Sequence, residues 1–175
     1  DINKAIHYFS LAANQNDPRA QINLGLIYFE GLYIARDINK GIHYFSLAAN
    51  QNDPRAQFNL GVIYFEGRDI ARDINKGIHY YSLAANQNYP QAQFILGLTY
   101  YLGRYIQKDI KKGRYYLMLA SKNNDRNANF SHGFLLHEGK CVKKDILEAI
   151  HYYKEASSFN NQYSKNNLGI IYKHG

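Results

Sequence analysis

The residues whose side chains could do more than pack are seven histidines, one cysteine and a basic cluster. His7, His43, His79 and His151 stand at steps of 36 or 72 residues. A shared metal needs its donors within about 2 Å of one ion. Side chains one structural repeat apart in stacked helices stand roughly 10–20 Å apart. This ladder therefore predicts solvent-facing residues and no metal centre. His132 and His137 are five apart, not the i, i+4 spacing of a helical ligand pair, and no third donor accompanies them. Cys141 lies between Lys140 and Lys143–Lys144, and nearby positive charge lowers a thiol pKa. No Ser-His-Asp or Cys-His set can be assembled, so an exposed loop thiol is the simpler reading. The glycines form no phosphate-cradling loop. These residues point to no enzyme, no metal and no cofactor.

The basic cluster carries a different chemistry. The net charge is +7, and Lys+Arg minus Asp+Glu, counted over successive 36-residue windows, runs 0, 0, +2, +5 and 0. Lys108, Lys111 and Lys112 precede or open one helix, and Lys140, Lys143 and Lys144 recur in the next equivalent turn. Such a patch could draw RNA, anionic lipid or an acidic peptide. A solvated basic edge is the plainer alternative. Helical repeats that read RNA spread their code along the array. Here the first two windows are neutral, which speaks against nucleic acid.

One cysteine excludes an internal disulfide framework. With no visible signal peptide it leans to a reducing, cytoplasmic compartment, although the compartment stays open. No run is apolar enough to span a bilayer.

The windows are a true repeat. Asp-Ile-Asn-Lys begins at Asp1 and recurs at Asp37 and Asp73, with degraded copies at Asp109 and Asp145. The periods are 1–36, 37–72, 73–108, 109–144 and 145–175. The first two match at 31 of 36 positions, exposed ones included, so duplication explains the likeness. Fixed periods of this length signal a solenoid whose core lies between neighbours. A single domain over 1–175 is expected.

Each period reads as two helices. Asp37 is a good N-cap, and Ile38, Ile42, Phe45 and Ala49 follow at helical spacing. Asn50-Gln51-Asn52 makes a polar turn. Asp53-Pro54 then opens a second helix, with Ala56, Leu60, Ile63 and Tyr64 on one face. Gly67 suits a left-handed stop. Gly61, repeated as Gly25, Gly97, Gly133 and Gly169, sits mid-helix. That costs about 1 kcal/mol relative to Ala. Close helix–helix approach is the simplest offset, and Ala12, Ala48, Ala84, Ala120 and Ala156 fit the same account.

The string Ala20, Leu24, Gly25, Tyr28, Gly31, Asp37, Lys40, Gly41, Tyr44, Phe45, Ala48, Ala49 resembles the Sel1-like repeat, a relative of the tetratricopeptide repeat. A second copy runs Ala56, Leu60, Gly61, Tyr64, Gly67, Asp73, Lys76, Gly77, Tyr80, Tyr81, Ala84, Ala85. The fourth period departs most, with His132 for Leu, Leu136 for Tyr and Leu117 for the second aromatic. The resemblance implies an all-α, right-handed superhelical αα-solenoid of about ten helices. In its terms the chain starts on the second helix of one unit and ends on the first helix of another. That phase suggests a piece of a longer array. Terminal faces without polar caps make end-to-end self-association an expectation. The family's cysteine-rich secreted branch has been linked to β-lactam binding, but its paired cysteines are absent here.

Such arrays bind partners on a concave face lined by the first helix of each unit. Tetratricopeptide offsets place that groove at Arg19, Ile22, Leu26, Phe29 and Glu30, then at Arg55, Phe58, Val62, Phe65 and Glu66. Gln91, Phe94, Leu98, Tyr101 and Leu102 follow, then Asn127, Phe130, Phe134, His137 and Glu138. Tyr163, Asn166, Ile170, Lys173 and His174 close the set. Two aromatic files result: Phe58, Phe94, Phe130 and Phe29, Phe65, Tyr101. They face an extended peptide or partner helix, or they pack between adjacent repeats. The resemblance implies a non-catalytic scaffold or adaptor for a protein or peptide. The alternatives are an anionic-ligand module on the fourth period and a structural spacer in a larger protein.

Overall fold

A computed structural model describes residues 1–31, 33–123, 126–139 and 144–174. Each period folds as two helices of 13 residues. The order is α1 Ile2–Asn14, α2 Pro18–Glu30, α3 Ile38–Asn50, α4 Pro54–Glu66 and α5 Ile74–Asn86. It continues α6 Pro90–Leu102, α7 Ile110–Lys122, α8 Arg126–Glu138, α9 Ile146–Ser158 and α10 Gln162–His174. No strand occurs among the described residues.

The starts and stops follow local chemistry. The carboxylates of Asp37 and Asp73 accept the N–H groups of Lys40 and Lys76 at 2.9 Å. Asp17 and Asp53 cap α2 and α4 ahead of Pro18 and Pro54. Such a cap is worth about 1 kcal/mol. In α6 the cap position is Tyr89, which makes no side-chain cap bond. Gly67 ends α4 at φ 62°. Asn52, in the turn before α4, takes the same left-handed region at φ 62°, which Asn tolerates better than most side chains.

The chain divides into two compact units, Asp1–Gln87 and Asn88–Gly175. In unit 1, α2 packs more closely on α3, and α4 on α5, than α1 does on α2 or α3 on α4. Glycine permits this. A Cβ on Gly61 would lie 2.5 Å from the Tyr81 ring, and one on Gly77 would lie 2.7 Å from Cβ of Phe65. The mid-helix glycines thus exchange helix propensity for close approach. The core here is Ile22, Phe45, Ala48, Ala49, Ala56, Leu60 and Ile63. In unit 2 the same tight pairing joins α6 to α7 and α8 to α9. A core of Leu136, Ala149, Tyr153 and Ile171 forms at its end.

Buried glutamines tie the layers. Gln57 is 1% exposed. Its amide donates to the Ala49 carbonyl at 3.4 Å, and its oxygen accepts from Gln87 at 2.8 Å. Gln21 repeats this with Ala13 and Gln51. In unit 2, Asn123 donates to Gln93. A buried amide left unpaired would cost about 1–3 kcal/mol, so these bonds make the polar positions tolerable.

Candidate interaction surface

A recurring clamp spans three of the tight pairs, α2·α3, α4·α5 and α6·α7. Lys40 Nζ lies 4.0 Å from the Tyr28 ring centroid, and Lys76 stands the same distance from Tyr64. Tyr44 stacks on Tyr28 at 5.8 Å, and Tyr80 on Tyr64 at 5.9 Å. In unit 2, Lys112 covers Tyr100 and donates to its hydroxyl at 2.8 Å, with Tyr116 stacked behind. The hydroxyl's hydrogen bond holds each of these amines above the ordinary lysine range.

The packing of these pairs leaves the expected groove residues unequally exposed. Ile22 is 7% exposed and belongs to the core, so it offers a partner almost nothing. Phe29, Phe58 and Phe65 are half-buried. Phe29 packs on Phe45, while Phe58 and Phe65 both pack on Tyr81. In unit 2, Phe94, Leu98, Tyr101, Phe130 and His137 are half-buried as well. Phe130 touches Phe134, Tyr153 and Tyr163. The aromatic files therefore serve largely as inter-helix packing. The groove residues that reach solvent are mostly aliphatic or polar, with Phe134 and Tyr163 the exposed rings among those described. Leu26 is 41% exposed, Phe134 43% and Leu102 45%. Val62 is half-buried, and Arg19, Arg55 and Gln91 are exposed. Arg55 is paired with Asp53 at 2.7 Å.

In unit 1 this face holds a cleft of about 270 Å³. Phe29, Val62 and Ile63 give it an apolar floor, and Glu30, Glu66, Arg68 and the Arg36–Asp69 pair stand around it. Arg36 binds both carboxylate oxygens of Asp69, at 2.8 and 2.6 Å, and donates to the Phe29 carbonyl. That hydrogen bond to Asp69 raises the Arg36 pKa and, in return, lowers that of Asp69. Sequence reasoning missed this wall. Asp69 is one of the five positions at which the first two periods differ, and that difference was the available signal.

The other expected sites are placed as follows. His7, His43, His79 and His151 are exposed, each edge-on to the next tyrosine. No group of three metal-binding side chains occurs among the described residues. Lys108, Lys111 and Lys144 are exposed, while Lys112 is engaged by Tyr100. Lys140, Lys143 and Cys141 lie outside the described residues. His132 is half-buried, 4.3 Å from the Tyr152 ring, with no hydrogen-bond partner for its buried Nδ1. Burial, with Arg114 and Lys122 adding repulsion, pushes its pKa down to about 4. No described helix is long and apolar enough to cross a membrane.

Comparison with protein families matches the Sel1 repeat to residues 1–17, 18–53, 54–89, 90–125 and 127–158. The chain belongs to the Sel1 repeat family. Among solved structures, a Sel1 repeat protein from Oxalobacter formigenes is 32% identical, with a TM-score of 0.90 over 98% of this chain and 70% of that one. The protective antigen c5321 of uropathogenic Escherichia coli, which displays an SLR fold, is 29% identical, with a TM-score of 0.91. That match covers 97% of this chain but only 36% of the antigen. The Helicobacter pylori cysteine rich protein B, 24% identical at a TM-score of 0.59 over 79% of this chain and 99% of its own, shares the fold alone. A search of curated proteins gives no match. The expected tetratricopeptide-like αα-solenoid stands. Sel1 repeat proteins are generally protein-interaction scaffolds and typically non-catalytic.

Proposed function

We propose that this Sel1 repeat chain is a non-catalytic scaffold that takes a peptide or partner helix on the face of α2 and α4, with α6 and α8 supplying the equivalent face in unit 2. The supporting observation is the cleft of unit 1, where an apolar floor is ringed by Glu30, Glu66, Arg68 and the Arg36–Asp69 pair. An apolar centre inside a charged rim suits a segment with one or two apolar anchors and charged flanks. The anchors would meet Leu26 and Val62 more than the ring of Phe65, which already packs on Tyr81.

A random peptide library selected against the chain tests this. Selected peptides should lose binding by at least about tenfold, 1.4 kcal/mol, when Leu26 and Val62 are changed to Glu. Helicity and melting temperature should stay near the parent values. Binding that survives both changes overturns the reading. Peptides released by added salt and insensitive to these changes would instead favour the exposed Lys108, Lys111 and Lys144.

A further inference from the structure

The charges around the unit 1 cleft do not balance. Three carboxylates, those of Glu30, Glu66 and Asp69, line it together with the guanidinium groups of Arg36 and Arg68. Two of the acids are already answered, Asp69 by Arg36 at 2.6 Å and Glu66 by Arg68 at 2.6 Å. Glu30 is exposed and makes no ion pair among the described residues. The hydrogen bond to Asp69 is the main cause of the raised Arg36 pKa, and the charge of Glu30 adds only weakly to it. The backbone contributes the same sign. α2 ends at Glu30 and α4 at Glu66, each closed by a left-handed glycine, and a helix C-terminus carries about half a negative charge. An apolar anchor seated on Phe29 and Val62 thus has an unanswered carboxylate beside it. Unit 2 differs. Leu102 stands on α6 where Glu30 stands on α2, and Phe134 on α8 where Val62 stands on α4. Both are exposed.

We infer that the unit 1 cleft takes a peptide segment in which a lysine or arginine accompanies the apolar anchor, the cation pairing with Glu30. This deepens the scaffold reading above and rests on it. Other segments fit less well. An acidic one would have to displace Asp69 from both of its hydrogen bonds to Arg36, or Glu66 from Arg68, while bringing a further negative charge against Glu30. A wholly apolar one would cover Glu30 without pairing it, and withdrawing a carboxylate from water without a partner is costly. A cationic segment keeps both existing pairs and supplies the missing counter-charge. Glu30 stands at the rim, so added salt weakens the contact. The pair therefore selects among partners more than it adds affinity. No cation is assigned to unit 2, where Leu102 would meet an apolar side chain.

Peptides selected from a random library on the 175-residue chain, then measured by fluorescence anisotropy, provide the test. Those that lose binding on Val62→Ser occupy the cleft. Among them, lysine or arginine should be enriched next to the apolar anchor. Glu30→Gln should weaken these peptides by about fivefold, the upper value for an exposed ion pair. Glu30→Lys should weaken them by more than about tenfold. Exchanging the peptide's basic residue for Glu should then restore binding to the Glu30→Lys variant and not to the parent. Glu155→Gln makes the same change in net charge as Glu30→Gln, on α9 in the other unit, and should leave binding as it is. Cleft peptides without basic enrichment overturn this inference and leave the scaffold reading standing. So does binding that Val62→Ser abolishes but Glu30→Gln and Glu30→Lys do not touch. Equal losses from Glu30→Gln and Glu155→Gln would show that net charge alone attracts the peptides, and they overturn the pairing with Glu30. Peptides indifferent to Val62→Ser as well overturn both readings.

Discussion

The pairs α4·α5 and α8·α9 solve one packing problem with different residues. In α4·α5 the approach uses glycine on both helices, Gly61 under Tyr81 and Gly77 under Phe65, and Lys76 closes over Tyr64. In α8·α9 the glycine of the second helix is Ala149, the lysine is Glu148 and the tyrosine is Leu136. His132 stands where Leu60 does, and Tyr152 packs on that histidine instead of on another tyrosine. Two features persist through the change. The Asp73 N–H donates to the Tyr64 carbonyl at 2.9 Å, and the Asp145 N–H donates to the Leu136 carbonyl at 3.1 Å. Gly133 still faces a tyrosine ring, that of Tyr153. The pair geometry therefore rests on one small residue and one backbone bond, and the cation–tyrosine clamp is an addition to it.

The same substitution at the two mid-helix glycines gives the largest contrast. A Cβ on Gly61 would stand 2.5 Å from Tyr81, while one on Gly133 would stand 3.0 Å from Tyr153. Overpacking of this kind costs about 1–3 kcal/mol, and alanine returns about 1 kcal/mol of helix propensity. Gly61→Ala should lower the urea midpoint clearly. Gly133→Ala should move it little or upward. Equal losses would show that both junctions are rigid and would break the comparison.

His132 sharpens it through pH. The folded state holds this imidazole near 4, and the ordinary value is 6.5. Above about 6.5 the group is neutral in both states and contributes no pH dependence. Between 6.5 and 4 the unfolded chain binds a proton that the folded chain refuses, so stability falls as pH falls. His132→Leu restores the residue found at Leu24, Leu60 and Leu96 and removes an orphaned buried nitrogen. It should stabilise the chain by about 1–2 kcal/mol and flatten the acid slope between pH 6.5 and 4 relative to the parent. A parallel slope in both proteins would mean that His132 is solvated.

The helices and their ends were legible because their signals are local. Asp37 caps α3 and Gly67 stops α4 as their neighbours dictate, and the 36-residue step repeats the message. The surface was less legible because it depends on helix rotation. Whether Phe65 or Val62 points outward is decided by Gly77, which draws α5 onto the Phe65 side. The buried glutamines were missed for another reason. Gln21, Gln57 and Gln93 recur in register, yet in near-identical copies recurrence does not separate a structural residue from an inherited one. Their partners stand 30 residues away, as Gln51 does from Gln21, beyond any local pattern. Departures carried more information than matches: Asp69 marked the Arg36 pair, and His132 marked the altered junction.

The clamp supplies the smallest and most discriminating test. Lys76→Met removes a cation from the Tyr64 ring and should cost about 0.5–1 kcal/mol, the range for an exposed cation–π pair. Glu148→Lys supplies the cation at the α8·α9 junction, but Leu136 offers no ring there, so it should gain nothing. Adding Leu136→Tyr to Glu148→Lys should then stabilise beyond the sum of the two single changes. That coupling energy, measured by a double-mutant cycle, isolates the clamp from the packing around it. A coupling near zero would show that the lysine–tyrosine contact contributes nothing once glycine and backbone have fixed the pair, which would leave duplication as the sole reason for its recurrence in the other three.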